Sequence, residues 1–239
     1  MVGLDKYKGK LMIEIHDHIS SAFNNELSDL NDSLLEMGSE LEKMFNKTLQ
    51  ALSDKDESLA KSIINDDRNI DNLETSVISQ IQMLIAKRQP VGVDLRILVG
   101  CTRVAGYLER TGDLLSSVCR RGIILTEHSI QDEIKDLLFL GEKTLNLFKE
   151  SLDAFINKDF KKATDVRIND LEIDKIHLKT FTNLLEKMTS SSKLVVPGTH
   201  MLFISKNFER IGDHATNIAE SIAYMASGDI KIPPRKKLN

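Results

Sequence analysis

The chain has no tryptophan, only four prolines and twelve glycines in 239 residues, and an aromatic share of 5%. So little turn punctuation argues against an all-β fold, which needs a Gly- or Pro-bearing turn every ten residues or so. Two cysteines, Cys101 and Cys119, stand 18 residues apart with no C-x-x-C pair. That spacing argues against a disulfide framework and reads as two buried free thiols in a reducing compartment, so the cytoplasm is expected. No run approaches the 18 apolar residues of a membrane span, and residues 1–18 have neither the apolar core nor the cleavage site of a signal peptide. The net charge of −4 offers no overall basic character to nucleic acid. What remains is 41% hydrophobic and 28% charged, the balance of a globular helical protein.

Apolar residues recur at alternating spacings of four and three along Phe23, Leu27, Leu30, Leu34, Met37, Leu41, Met44 and Thr48/Leu49, which predicts a bundle helix over 19–52. The polar run 53–57 supplies a turn and a cap. A second stripe through Leu59, Ile63, Ile70, Leu73, Val77, Ile81 and Leu84 is predicted to stop at Arg88-Gln89-Pro90. The third helix is expected over 94–121, with Ile97, Cys101, Val104, Leu108, Leu115 and Val118 on one seam and Gly122 ending it. Ser129 with Asp132 is read as the cap of a fourth helix that ends near Asn157. Asp159 opens a fifth helix to about Met188, residues 189–193 turn, and a sixth runs over 194–226. The pattern predicts an all-α fold of two tandem three-helix bundles, 19–122 and 129–228, with loose termini at 1–18 and 229–239.

The second half repeats the first. Glu109-Arg110-Thr111-Gly112-Asp113 returns one hundred residues later as Glu209-Arg210-Ile211-Gly212-Asp213, and Asp67-x-x-Ile70-Asp71 returns as Asp170-x-x-Ile173-Asp174. An internal duplication explains both. In an antiparallel hairpin, residues equally far from the turn lie level. The pairs Asp67/Asp113 and Asp71/Glu109 both centre their hairpin on Pro90, while Asp170/Asp213 and Asp174/Glu209 centre theirs inside the serine turn. Four carboxylates at one level repel and raise one another's pKa, and a divalent cation removes that penalty. Oxygen-only donors favour iron, manganese, magnesium or zinc. Gly112 and Gly212, which cost helix propensity, are expected to give room for close helix approach beside the acids.

The bland alternative is that Arg110 and Arg210 neutralise the acids in salt bridges. His177, three residues after Asp174, and His214 and Asn217, beside and one turn beyond Asp213, are candidate additional ligands. His16 and His18 read as incidental. No Glu is followed by His three residues later, as di-iron oxidases require, and no P-loop, G-x-S-x-G or H-E-x-x-H occurs. No catalytic residue is therefore assigned, and the chain is not expected to be an enzyme.

Taken together, His18-Ile-Ser-Ser-Ala-Phe23-Asn-Asn-Glu-Leu27, Met37-Gly38, Arg88-Gln-Pro-Val-Gly-Val-Asp94-Leu95-Arg96 and the two E-R-x-G-D blocks resemble the PhoU family from about residue 16 to 228. The resemblance implies two three-helix bundles in line, often dimeric, whose acidic motifs bind iron or zinc clusters. It implies negative control of the bacterial phosphate response and of phosphate uptake. The partners implied are the ATPase subunit of a phosphate ABC transporter and a sensor histidine kinase, with the membrane reached only through them. Two alternatives stay open: an accessory protein of a different phosphate transporter, and a metal-free helical adaptor. Repeat one departs from the pattern, with Tyr107 where the family commonly has Asp, and with Leu114 and Ser117 opposite His214 and Asn217. Its site is expected to hold fewer metals, or to hold them more weakly.

Overall fold

The computed structural model describes residues 21–227, and among them there are six long α-helices and no strand. They are α1 (Ser21–Asp54), α2 (Glu57–Arg88), α3 (Val93–Leu125), α4 (Gln131–Ile156), α5 (Phe160–Ser190) and α6 (Val195–Ser227), with a 3-10 turn at Ser192–Leu194 before α6. His16, His18, and the termini read as loose lie outside the described residues.

Each stripe read from the sequence is the buried seam of its helix. Leu30, Leu34, Met37 and Leu41 on α1, Ile63, Ile70, Val77 and Leu84 on α2, and Val104, Leu108, Leu115 and Val118 on α3 are all buried. At about 1.5–3 kcal/mol for each fully buried large apolar side chain, these seams and not helix propensity hold the bundles together. Both cysteines are free and buried. Burial pushes the Cys101 thiol up to about 12 and Cys119 to about 11, which leaves both inert.

The duplication extends to a turn. Lys55 and Lys158 both take a left-handed conformation, φ 53° and 52°. In each case the next backbone N–H donates back five residues, Asp56 to Ala51 at 3.0 Å and Asp159 to Ala154 at 2.9 Å. Each aspartate then caps the helix that follows by accepting from the N–H three residues on, Leu59 or Lys162. A helix stop and a helix start are thus built from one Lys-Asp dipeptide in both repeats.

Two terminal readings are corrected. Gly122 does not end α3, which continues to Leu125. A Cβ there would lie 2.8 Å from a methyl of Leu52, so this glycine admits the end of α1 against α3. Ser129 is not the cap of α4: the N-cap position is Ile130, which makes no side-chain cap bond and is wholly buried. An apolar anchor thus fixes that entry, while the Asp132 side chain lies outside the described set.

The two bundles meet along their helices. The most extensive helix contact in the molecule is between α3 and α6. Met225 packs on Gly100 near one end of that contact, and Arg121 stacks on Phe203 at the other, so the two helices run antiparallel side by side. A second junction joins α1 to α4, and Phe45 of α1 stacks on Phe208 of α6 with ring centroids 5.7 Å apart. Helices α2 and α5 lie outside this four-helix centre, each packing only on its own bundle. Each outer helix carries half of an acidic set toward α3 or α6.

Candidate carboxylate site

The hairpin register places α2 against α3 as the numbering required. A Cβ on Gly112 would lie 3.0 Å from Asp67 Oδ1 and 3.3 Å from a methyl of Ile70. In the second repeat a Cβ on Gly212 would lie 2.6 Å from Asp170 Oδ1 and 3.3 Å from a methyl of Ile173. The two glycines therefore do one job twice: they let the inner helix pass directly over the aspartate of the outer one. A side chain at either glycine would press on the carboxylate, more tightly at Gly212 than at Gly112.

In repeat one the acids feel one another. Burial, and then the charges of Asp113 and Asp71, push the Asp67 carboxyl above its ordinary range, while Ser116 and Arg120 draw it back. Glu109 is raised as well, by burial and then by Asp113, Glu74 and Asp71, with Arg110 the opposing charge. Five carboxylates thus share one field: Asp67, Asp71 and Glu74 from α2, Glu109 and Asp113 from α3. Asp67 Oδ1 is buried, and the Ser116 hydroxyl beside it is the neutral group that favours the charged carboxylate.

In repeat two the corresponding acids lie deeper. Asp170 is 1% exposed and Glu209 6%, while Asp174 and Asp213 are half-buried. The protein supplies partners here that repeat one lacks. Lys206 donates to Glu209 Oε2 at 2.5 Å, at the place where repeat one has Gly106. His177 Nδ1 pairs with Ser205 Oγ at 2.7 Å, where repeat one has Glu74 and Ala105. Burial pushes the His177 ring down, and the Glu209 charge pulls it back up, so it belongs to the same ladder as the acids. Lys206 was missed in the sequence; comparing the two repeats position by position would have revealed it.

His214 lies elsewhere. It follows Asp213 directly, and a step of about 100° around α6 turns it from α5 toward α3. Its Nδ1 lies 3.3 Å from Thr111 Oγ1, and its ring centroid is 5.9 Å from that of Tyr107. Thr111 gives its one hydroxyl proton to the Tyr107 carbonyl at 2.8 Å, so His214 Nδ1–H is the donor in the contact between them. Burial, then Arg210 and Arg110, push the ring down to about 4. Asn217, one turn on, is half-buried on α6, and its backbone carbonyl accepts from Ser221.

Eight aligned carboxylates are a hard-oxygen donor set that suits a divalent cation, and the buried Asp67 oxygen suits one too. As the side chains stand, however, no three His, Cys, Asp or Glu among the described residues are arranged to hold one ion. The acids would have to turn toward one another to share it.

An all-helical, duplicated chain of two three-helix bundles, with an acidic pair at the same level of each outer hairpin, defines the class. No described helix is long and apolar enough to cross a membrane. The PhoU domain family matches residues 34–122 and 137–222. The chain belongs to that family. It is 42% identical over 89% of its length, and 90% of the relative's, to a phosphate-specific transport system accessory protein PhoU homolog of Rhizobium meliloti. Its fold is similar to the crystal structure of PhoU from Pseudomonas aeruginosa, with TM-score 0.81 and 32% identity over 87% of this chain and 100% of that one. The phosphate transport system regulatory protein PhoU from Streptococcus pneumoniae aligns with TM-score 0.82 and 26% identity, over 88% of this chain and all of the other. Relatives of the chain thus carry the name of an accessory protein of phosphate transport.

Proposed function

We propose that this protein is a negative regulator of the bacterial phosphate-starvation response and of phosphate uptake, acting by contact and not by turnover. In this reading it is a cytoplasmic homodimer that binds the ATPase subunit of a phosphate ABC transporter and a phosphate-sensing histidine kinase. The observation that carries it is family membership over nearly the whole chain, with relatives bearing transport-accessory names. The residues add support, since the best polar site is built from acids and suits ion holding better than bond making. A starvation-gene reporter in a deletion strain grown in high phosphate tests it: expression is expected to stay on. If the reporter is silent, and tagged protein recovers neither an ATPase subunit nor a kinase, the reading fails.

Metal is the second part of the proposal. Asp67, Asp71, Glu109 and Asp113 would hold it in repeat one, and Asp170, Asp174, Glu209 and Asp213 in repeat two with His177 next in the ladder. Iron is the first choice, ahead of zinc, manganese or magnesium. Bound cation would supply the positive charge that offsets carboxylate repulsion. The charge balance points to repeat one, against the expectation from sequence: five acids share a field there with Arg110 and Arg120 as the opposing charges, whereas Lys206 donates directly to Glu209 in repeat two. Elemental analysis should find that Asp113→Ala loses more metal than Asp213→Ala. A strong chelator should lower the melting temperature and re-addition restore it, since a ligand at a hundredfold excess stabilises by about 3 kcal/mol. An unchanged melting curve across iron, manganese and zinc would instead favour the metal-free adaptor.

A further inference from the structure

Along α3, arginine returns at every seventh residue, Arg96, Arg103 and Arg110, with Arg121 on the same stripe farther on. Residues seven apart lie within about 20° of one another around a helix and about 10.5 Å apart along it. The stripe borders α6. Arg103 stacks on Tyr224 at 4.2 Å, Arg121 on Phe203 at 4.1 Å, and Asn207 donates to Ser117 Oγ at 3.1 Å. Arg210 joins from α6, and its charge bears on His214 together with that of Arg110.

The two facing stripes carry no acid. On α6 the matching heptad positions are Val196, Phe203, Arg210, Asn217 and Tyr224. In a chain of net charge −4 with 36 acids, that segregation is marked. Arg103 and Arg121 lie on aromatic rings, and Arg121 Nε is buried with no hydrogen-bond partner. The carboxylates of Asp113 and Glu109 lie on the next stripe round α3, and Glu220 on α6 is engaged by Arg167 at 2.9 Å. Among these groups stand apolar anchors: Phe203 is 50% exposed and Val196 56%.

We propose that the seam between α3 and α6 is a docking groove for an acidic amphipathic helix of a partner protein. Two antiparallel helices leave a groove that a third helix fills, and arginine with aromatic side chains is the usual composition of an interface anchor. The repeat of about 10.5 Å matches a helix with one carboxylate every two turns, each meeting a guanidinium in bidentate geometry. It is sparse for a nucleic-acid backbone, which presents a charge about every 3.4 Å along each strand. The inference stands on this face alone and holds whether or not the regulatory reading does.

The test uses the full chain and a labelled helical peptide of about three heptads, with one glutamate per heptad beside a leucine stripe. Fluorescence anisotropy should detect binding that weakens as salt rises. Arg103→Glu/Arg110→Glu should lower affinity by about tenfold or more, and a peptide with lysine for glutamate should regain binding to that variant, which excludes misfolding as the cause. Lys61→Glu on the outer helix α2 should change nothing. Four results would each overturn the proposal: no binding of the glutamate peptide, binding indifferent to the arginines, equal weakening by Lys61→Glu, or capture through the same arginines of duplex DNA or phosphatidylserine vesicles in place of the peptide.

Discussion

The two repeats use one backbone to hold acids in two different environments. Lys55-Asp56 and Lys158-Asp159 make the same turn, and Gly112 and Gly212 lie over Asp67 and Asp170 in the same way. Repeat one leaves its carboxylates partly open and lets five of them share a field. Repeat two buries Asp170 and Glu209 and gives Glu209 a lysine. Duplicated geometry therefore does not imply duplicated electrostatics: the partner residues, and not the acids, set what each copy holds. The same asymmetry crosses the central seam, where His214 stands in repeat two and Leu114 in repeat one.

That last difference should have the largest measurable effect. Folding keeps His214 neutral, with its pKa pushed from 6.5 down to about 4. The unfolded chain therefore takes up this proton at a higher pH than the native protein does. Stability from this group is intact above about 6.5 and drains as pH falls toward about 4, a loss on the order of 3 kcal/mol. His214→Leu, which copies repeat one, should flatten the stability profile across that window. The Thr111 hydroxyl still has the Tyr107 carbonyl as partner, so the change leaves no unmet donor there. Denaturant titrations at a series of pH values check this; an equally steep acid limb in the variant would refute it.

The glycines come next. A Cβ at Gly212 would meet Asp170 Oδ1 at 2.6 Å, with the carboxylate buried and nowhere to retreat. At Gly112 the distance is 3.0 Å, and the half-open Asp67 can swing outward. Overpacking costs about 1–3 kcal/mol, against about 1 kcal/mol gained from alanine's helix propensity. Gly212→Ala should thus destabilise by about 2 kcal/mol and Gly112→Ala by close to nothing. Matching losses for the two would show that the sites are packed alike and break the comparison.

Much of this was legible in the sequence because it depends on elements joined by short turns. The 4-3 stripes gave the buried seams, and the centring of paired acids on Pro90 and on the serine turn gave the correct register for α2–α3 and α5–α6. Gly122 was misread because one letter serves two purposes: a glycine that ends a helix and a glycine that admits Leu52 look identical in a string. The α4 entry was misread because a buried Ile130 replaces the polar cap that sequence rules look for. The contact of His214 with Thr111 was not legible for a deeper reason. The contact of α3 with α6 spans two repeats, no turn centres it, and only the folded chain reveals which residues meet across it. The arginine row of α3 was present as spacing, but its alignment along α6 was not.

The smallest expected effect is also the sharpest on the acids themselves. Asp67 is raised by burial and by its acidic neighbours, so the native state holds a proton there more firmly than the unfolded chain does. Its contribution to stability is fully present below the ordinary carboxylate range and is lost as pH rises through its elevated native value. At neutral pH the charged form is therefore a burden on metal-free protein. Asp67→Asn, which keeps the shape beside Gly112 and removes the charge, should raise stability at pH 7 by about 0.5 kcal/mol once solvent screening is allowed for. The gain should disappear at pH 3, where both states carry the proton. Adding manganese should reverse its sign, because the wild-type carboxylate then has a counterion that the amide cannot hold as well. If Asp67→Asn proves destabilising in chelator at pH 7, the carboxylate already has a counter-charge in the fold and repeat one is not the needier site.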